Sequence, residues 1–294
     1  MNKTTDILFS PSTIANLSSL MTRANSKINM ITAGEISHFF ETKDTKEFIN
    51  SAFENVGRDD HRTIVLEGVD NIGKSTLAPA IAKHVGGQVF AASTAADQLF
   101  KQVGIPTSEK SQFFLNAKSL VSLTFFTLAN MQQLNSSSIH WGNETVSVLD
   151  GFVFRTFAAH QAKRMLKEEV SGAAEQTFTK LENLMVENIL GSQSFKFIFL
   201  YASPRVRELH LTLRGKANEA DKNLNIAQIG SECLLSHQLL LKNKGVQTCG
   251  IYSILRDESQ PLRMADANTV FLETKDLEAD VTGKLAALGH FLRT

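Results

Sequence analysis

The segment Gly68-Val69-Asp70-Asn71-Ile72-Gly73-Lys74-Ser75 follows the apolar run Thr63-Ile64-Val65-Leu66. It precedes a stretch in which Leu77, Ala78, Ile81, Ala82 and Val85 recur at helical spacing. A G-x-x-x-x-G-K-S sequence set between a strand and a helix leaves the backbone few options. Gly68 and Gly73 let the chain curl so that successive N–H groups point inward at the positive end of the following helix, which makes a cradle for phosphate oxygens. Lys74 adds a point charge for β- and γ-phosphates, and the Ser75 hydroxyl is a ligand for Mg²⁺. Within the following helix, Pro79 removes a backbone donor beyond the first turn, and a local bend is expected there.

Three other short runs match the strand before this loop: Val146-Ser147-Val148-Leu149 ending in Asp150, Phe195 to Tyr201, and Thr269-Val270-Phe271-Leu272 ending in Glu273. Gln88-Val89-Phe90-Ala91, after Gly86-Gly87, is a weaker fifth. Helical periodicity fills much of the sequence between them, within 113–133, 156–190 and 228–241. Strands alternating with helices imply βαβ units and a five-stranded parallel sheet covered on both faces. Ligands of such sheets sit beyond the carboxyl ends of the strands, where Gly68, Asp150 and Tyr201 fall.

Composition narrows the class without naming a partner. The chain has 294 residues, 30 Lys+Arg against 30 Asp+Glu and 43% hydrophobic residues, the profile of an ordinary globular protein. A balanced charge, with pI near 7.1, argues against a surface that coats nucleic acid or anionic membrane throughout. Only Cys233 and Cys249 could pair, which is no disulfide framework. The first residues lack the continuous apolar run of a signal peptide, and no stretch approaches the roughly 18 apolar residues of a membrane span. A soluble, cytoplasmic protein without a membrane partner is expected. Residues 1–60 are polar, with the helical pattern Phe39, Phe40, Phe48, Ile49, Phe53, and read as an N-terminal helical extension of unknown role; residues 61–294 read as the main domain.

With its loop spelled LEGVDNIGKSTL, the chain resembles the thymidylate kinase group of P-loop nucleotide kinases, whose loop follows an E-G-x-D-x-x-G-K-S/T pattern. Glu67, Gly68, Asp70, Gly73, Lys74, Ser75 and Thr76 match. The resemblance implies a three-layer α/β/α P-loop kinase fold with a lid segment, and ATP held by Gly68, Asn71, Ile72, Gly73, Lys74, Ser75 and Thr76. It also implies that Asp70 holds the acceptor sugar, although an Asx turn would explain that residue by itself. VSVLDGFVFRTFAAHQA is similar to the family segment that carries an Asp at a strand end, which gives Asp150 a role with Ser75 in organising Mg²⁺. A helix N-cap is the plainer account of Asp150. After FKFIFLYASP, the residues Arg214-Gly215-Lys216 resemble the basic lid that closes over the phosphates, with Arg205 and Arg207 behind them. A solvated basic helix end is the alternative.

Departures from the family fall on the acceptor side. The Arg that follows the strand-end Asp and grips the acceptor phosphate is Gly151 here, Phe152 keeps the aromatic position, and Arg155 lies about one turn on. Ala91-Ala92-Ser93 replaces a segment that carries another such Arg, and Lys118 stands where an acceptor-side Arg is frequent. Phe113, Phe114, Phe125 and Phe126 suit core packing or a nucleobase stack, and Trp141 lies in a polar loop. His160, His210, His237 and His290 lack metal-ligand spacing.

The resemblance therefore leads to a kinase that moves the γ-phosphoryl group of ATP to a pyrimidine deoxynucleotide, dTMP first. Lys74, Asp150, Arg214 and Lys216 would be catalytic, and Asp70, Arg155, Phe152 and Lys118 would face the acceptor. The missing arginines fit two other acceptors, a nucleoside or a hydroxymethylated pyrimidine in DNA. A non-catalytic ATP-binding regulator is a third reading, and a homodimer is compatible with all of them.

Overall fold

The computed structural model describes residues 9–25, 32–54, 62–68, 72–109, 119–139, 146–152, 195–202, 262–266, 269–274 and 281–293, and the helical positions 176, 180, 206, 209, 212 and 213. In chain order these hold helices α1 (Pro11–Asn25), α2 (Ala33–Glu41) and α3 (Lys43–Glu54), then strand β1 (Thr63–Glu67), α4 (Lys74–Val85), β2 (Gln88–Ala91) and α5 (Ala92–Gln102). There follow α6 (Ser119–Ile139), β3 (Ser147–Asp150), β4 (Phe195–Ala202), β5 (Leu262–Asp266), β6 (Thr269–Thr274) and α7 (Val281–Arg293). The chain forms two compact units and passes between them several times, once inside β2, between Val89 and Phe90.

One unit is built on a sheet of order β2-β3-β1-β4-β6-β5. β1 pairs in parallel with β3 on one side and β4 on the other, and β4 pairs in parallel with β6. The five strands expected from sequence all lie in this sheet, and β5 adds a sixth, antiparallel to β6 with an irregularity between Met264 and Asp266. β5 was not expected: Leu-Arg-Met-Ala-Asp lacks the β-branched run of the others, and an edge strand tolerates polar residues that a central one does not.

Side chains alternate across the sheet, and both sets are buried. Ile64, Leu66, Val148, Ile198, Leu200, Val270 and Leu272 form one face, packed with Leu77, Ala78 and Ile81 of α4 and Leu288, Phe291 and Leu292 of α7. On the opposite face Phe195, Phe197 and Phe199 stack at every second residue of β4, with ring centroids 6.1 and 6.2 Å apart. That two-sided burial is why the strands read as continuous apolar runs. α4 runs through Pro79, which occupies an exposed position. Lys196, the one cationic side chain of β4, is buried. Its ammonium donates to the Phe291 carbonyl at 2.7 Å and lies 4.9 Å over the Phe291 ring. Burial, and then the charge of Arg62, hold its pKa below the usual lysine value.

The second unit holds α1, α2, α3, α5 and α6. Phe9 stacks on Phe48 at 3.9 Å, and Phe100 meets Phe125 at 4.5 Å. Asp44 of α3 accepts hydrogen bonds from Ser10 and Ser12, which fastens it to the start of α1. The Ser18 hydroxyl reaches the Val103 carbonyl at 2.9 Å. α6 carries buried Thr124, Thr127, Asn130, Gln132, Gln133, Asn135 and Ser137 beside its apolar residues. Burying such groups is tolerable only when they are hydrogen-bonded. Ser137 and Asn130 turn back to the carbonyls of Leu134 and Phe126, and Gln133 donates to the Phe90 carbonyl at 2.7 Å.

α2 begins with a capping box: Glu35 N–H donates to the Thr32 hydroxyl at 3.3 Å, and Thr32 N–H donates to the Glu35 carboxylate at 2.8 Å. The Thr32 backbone bond first, and then Arg23 at 2.6 Å, lower the Glu35 pKa from 4.5 to about 2. Because the folded pKa is the depressed one, the stabilisation is complete above 4.5 and disappears as pH falls towards 2. Glu35→Gln is therefore expected to lower the thermal midpoint at pH 7 and to converge with the parent near pH 2; parallel curves over that range would exclude the cap as the cause.

Candidate phosphate-binding site

Register puts the chemistry at the carboxyl ends of neighbouring interior strands. Leu66 of β1 lies opposite Asp150 at the end of β3 and Ile198 of β4, so the loop leaving β1 starts beside the Asp150 strand end. Glu67, the last residue of β1, is buried. Gly68 then leaves the strand with φ of 134°, in the region that side chains disfavour. A Cβ there would lie 2.4 Å from the Leu200 carbonyl oxygen, so β4 closes against the loop backbone and only glycine fits.

The loop delivers its charges to the start of α4. Gly73 is the N-cap, with φ of 93° and ψ of 14°, and as a glycine it offers no side-chain oxygen to the first-turn amides. Those donors and the helix dipole face outward at the helix start, which favours an anion. Lys74 is buried, and its ammonium donates to the Gly68 carbonyl across the mouth of the loop. Ser75 and Thr76 are exposed in the first turn, and Ile72 is buried beneath it. Asp150 is half-buried. The next residue, Gly151, has φ of 76°, and its N–H donates to the Leu66 carbonyl at 2.9 Å. Phe152 is buried behind it.

The described part of the expected site is thus Gly68, Ile72, Gly73, Lys74, Ser75, Thr76, Asp150 and Phe152, all in the sheet unit. Asp70, Asn71, Lys118, Arg155, Arg205, Arg207, Arg214 and Lys216 lie outside the described residues, as do Trp141, Phe113 and Phe114. Phe125 is buried in the helical unit, and His290 is exposed on α7. Among the described residues no three His, Cys, Asp or Glu side chains gather as a metal cluster, and no helix is long and apolar enough to cross a membrane. The oxygens of Ser75 and Asp150 are the hard ligands that Mg²⁺ takes, usually with water and substrate phosphates completing its shell.

Two residues of the site escaped the sequence reading. Lys284 of α7 is buried; its Nζ donates to the Thr274 hydroxyl at 2.9 Å, and Thr274 donates in turn to the Ile72 carbonyl at 3.2 Å. The signal was present in the spacing Val281, Lys284, Leu285, Leu288, Phe291, Leu292, which sets one lysine in the apolar stripe of the last helix.

No family model matches the chain, and no curated protein matches it. Among solved structures it is similar to the deoxyadenosine kinase of M. mycoides with bound dATP, at 15% identity and TM-score 0.47, over 79% of this chain and 100% of that one. The same enzyme with bound dCTP gives 16% identity and TM-score 0.44, over 79% and 98%.

Gly68→Ala combines a disfavoured φ with a collision against β4. It is expected to cost about 3 kcal/mol or more in denaturant unfolding. A loss below about 1 kcal/mol would show that the loop can move away from β4 without penalty.

Proposed function

We propose that this chain is a kinase that transfers the γ-phosphoryl group of ATP to a deoxynucleoside or its monophosphate. The supporting observation is Gly68 held against β4 and Gly73, Lys74 and Ser75 opening α4, with Asp150 at the neighbouring strand end. The loop amides and Lys74 bind the donor phosphates, and Lys74 exchanges its Gly68 partner for phosphate oxygen. Ser75 and Asp150 would hold Mg²⁺, which neutralises charge developing on the phosphoryl oxygens. Asp70 takes the acceptor sugar, while Arg214 and Lys216 of the lid, with Arg205 and Arg207 behind, close over the transferring group and exclude water. Arg155 and Lys118 face the acceptor, and Phe152, buried behind Gly151, supports that side of the site. Catalysis is positioning and charge stabilisation, without a covalent intermediate.

For the acceptor, dTMP follows from the likeness of the loop to thymidylate kinases. A nucleoside is favoured by one specific observation. Gly151 stands where those kinases carry a phosphate-gripping Arg, and its φ of 76° suits glycine rather than a long side chain. An acceptor without its own phosphate needs no such grip.

The test is transfer from γ-labelled ATP with Mg²⁺ to dTMP, other monophosphates, free deoxynucleosides, and plain or hydroxymethyluracil DNA. Label in a monophosphate supports dTMP-type chemistry, and label only in nucleosides assigns the acceptor by Gly151. Lys74→Ala and Asp150→Asn are each expected to lower kcat at least about 100-fold. ATP binding without transfer to any acceptor would mark a regulator instead.

A further inference from the structure

The chain of hydrogen bonds Lys284 to Thr274 to Ile72 has a direction. Thr274 accepts from the ammonium and spends its single hydroxyl proton on the Ile72 carbonyl, so neither bond reverses without losing the other. Ile72 is joined to Gly73 by a planar trans peptide, in which the N–H points opposite to the carbonyl. Fixing the Ile72 oxygen towards β6 therefore fixes the direction of the Gly73 N–H on the other side of that plane. The lysine also stands beside the loop: its Nζ is 3.9 Å from where a Cβ of Gly73 would lie. It is nine-tenths buried, which strengthens its electrostatic reach relative to a solvated lysine.

We propose that Lys284 is a positioning residue of the phosphate loop. Through Thr274 it locks the Ile72–Gly73 peptide with its amide set for a polyphosphate, and it places a buried cation beside Gly73 at the start of α4. The ligand it serves is the polyphosphate of the nucleotide, whatever base is attached. This rests on the phosphate-loop reading of residues 68–75. It ties the end of the chain to the loop, so α7 belongs to the nucleotide site as well as to the core.

Calorimetric titration of the full chain with inorganic triphosphate and with MgATP separates the two readings. Lys284→Met and Thr274→Val are each expected to weaken triphosphate about tenfold. The double variant should be no weaker than the weaker single one, because both act through one chain of bonds. Thr274→Ser keeps the hydroxyl and should bind within about twofold of the parent, a rescue that lost packing does not predict. If Lys284→Met fails to fold, the Thr274 pair carries the comparison. Parent-like triphosphate binding by Thr274→Val, or fully additive losses in the double variant, would overturn the proposal while Lys74→Ala still abolishes binding. Triphosphate binding that is indifferent to Lys74→Ala, or absent from the parent, would remove the phosphate-loop reading and this proposal with it.

Discussion

Where the chain leaves β1 at Gly68, the neighbouring strand β4 stands so close that any Cβ would meet the Leu200 carbonyl oxygen. The loop cannot relax away from β4 without unpairing β1, which is hydrogen-bonded on both sides along its length. That confinement fixes the point where the chain leaves β1, and α4, capped by Gly73, fixes where Lys74 and Ser75 stand. The apolar face under α4 and α7 supplies the rigidity, since Leu77, Ala78 and Ile81 anchor the helix that exposes Ser75 and Thr76 in its first turn. A phosphate site needs donors that are fixed before the ligand arrives, and a central parallel strand provides a stiff base for them.

The buried lysines of the sheet unit are tied to backbone carbonyls of this framework, Lys74 and Lys196 directly and Lys284 through Thr274. Lys196 closes the last turn of α7 through the Phe291 carbonyl, in a helix end that already favours a cation. Lys284 turns the same helix towards the loop through Thr274 and Ile72. Two lysines on opposite partners thus fix α7 at both ends, one by capping it and one by reaching out from it. Desolvating an ammonium is costly, and a lysine retained in such a place is held by the bonds it makes. The helical unit follows a different rule. Its long helix α6 buries seven Thr, Asn, Gln and Ser side chains, several of them returned to backbone carbonyls, and therefore shows no clean apolar stripe.

Legibility followed the range of the interactions. β1, β3, β4 and β6 were readable because a strand buried on both faces must be apolar throughout, as in Phe-Lys-Phe-Ile-Phe-Leu-Tyr-Ala. The loop was readable because Gly68, Gly73, Lys74 and Ser75 are adjacent, so their chemistry is local. β5 was not, because an edge strand defined by pairing with β6 has no compositional mark of its own. The role of Gly151 was half legible. Its identity announced a missing arginine, and only its positive φ gave a backbone reason for glycine.

The amino-acid sequence by itself determined the alternation of strands and helices, the anion cradle between β1 and α4, and the strand-end position of Asp150. Each follows from neighbours along the chain, through periodicity, glycine freedom and the helix dipole. The tertiary structure alone decided that β1 lies between β3 and β4, that Asp150 therefore comes beside the loop, and that Lys284, more than two hundred residues from Gly73, reaches it through Thr274. Those outcomes depend on which strands pair and which helix covers them. They are settled by burial summed over the whole sheet, a quantity that no local stretch of residues contains.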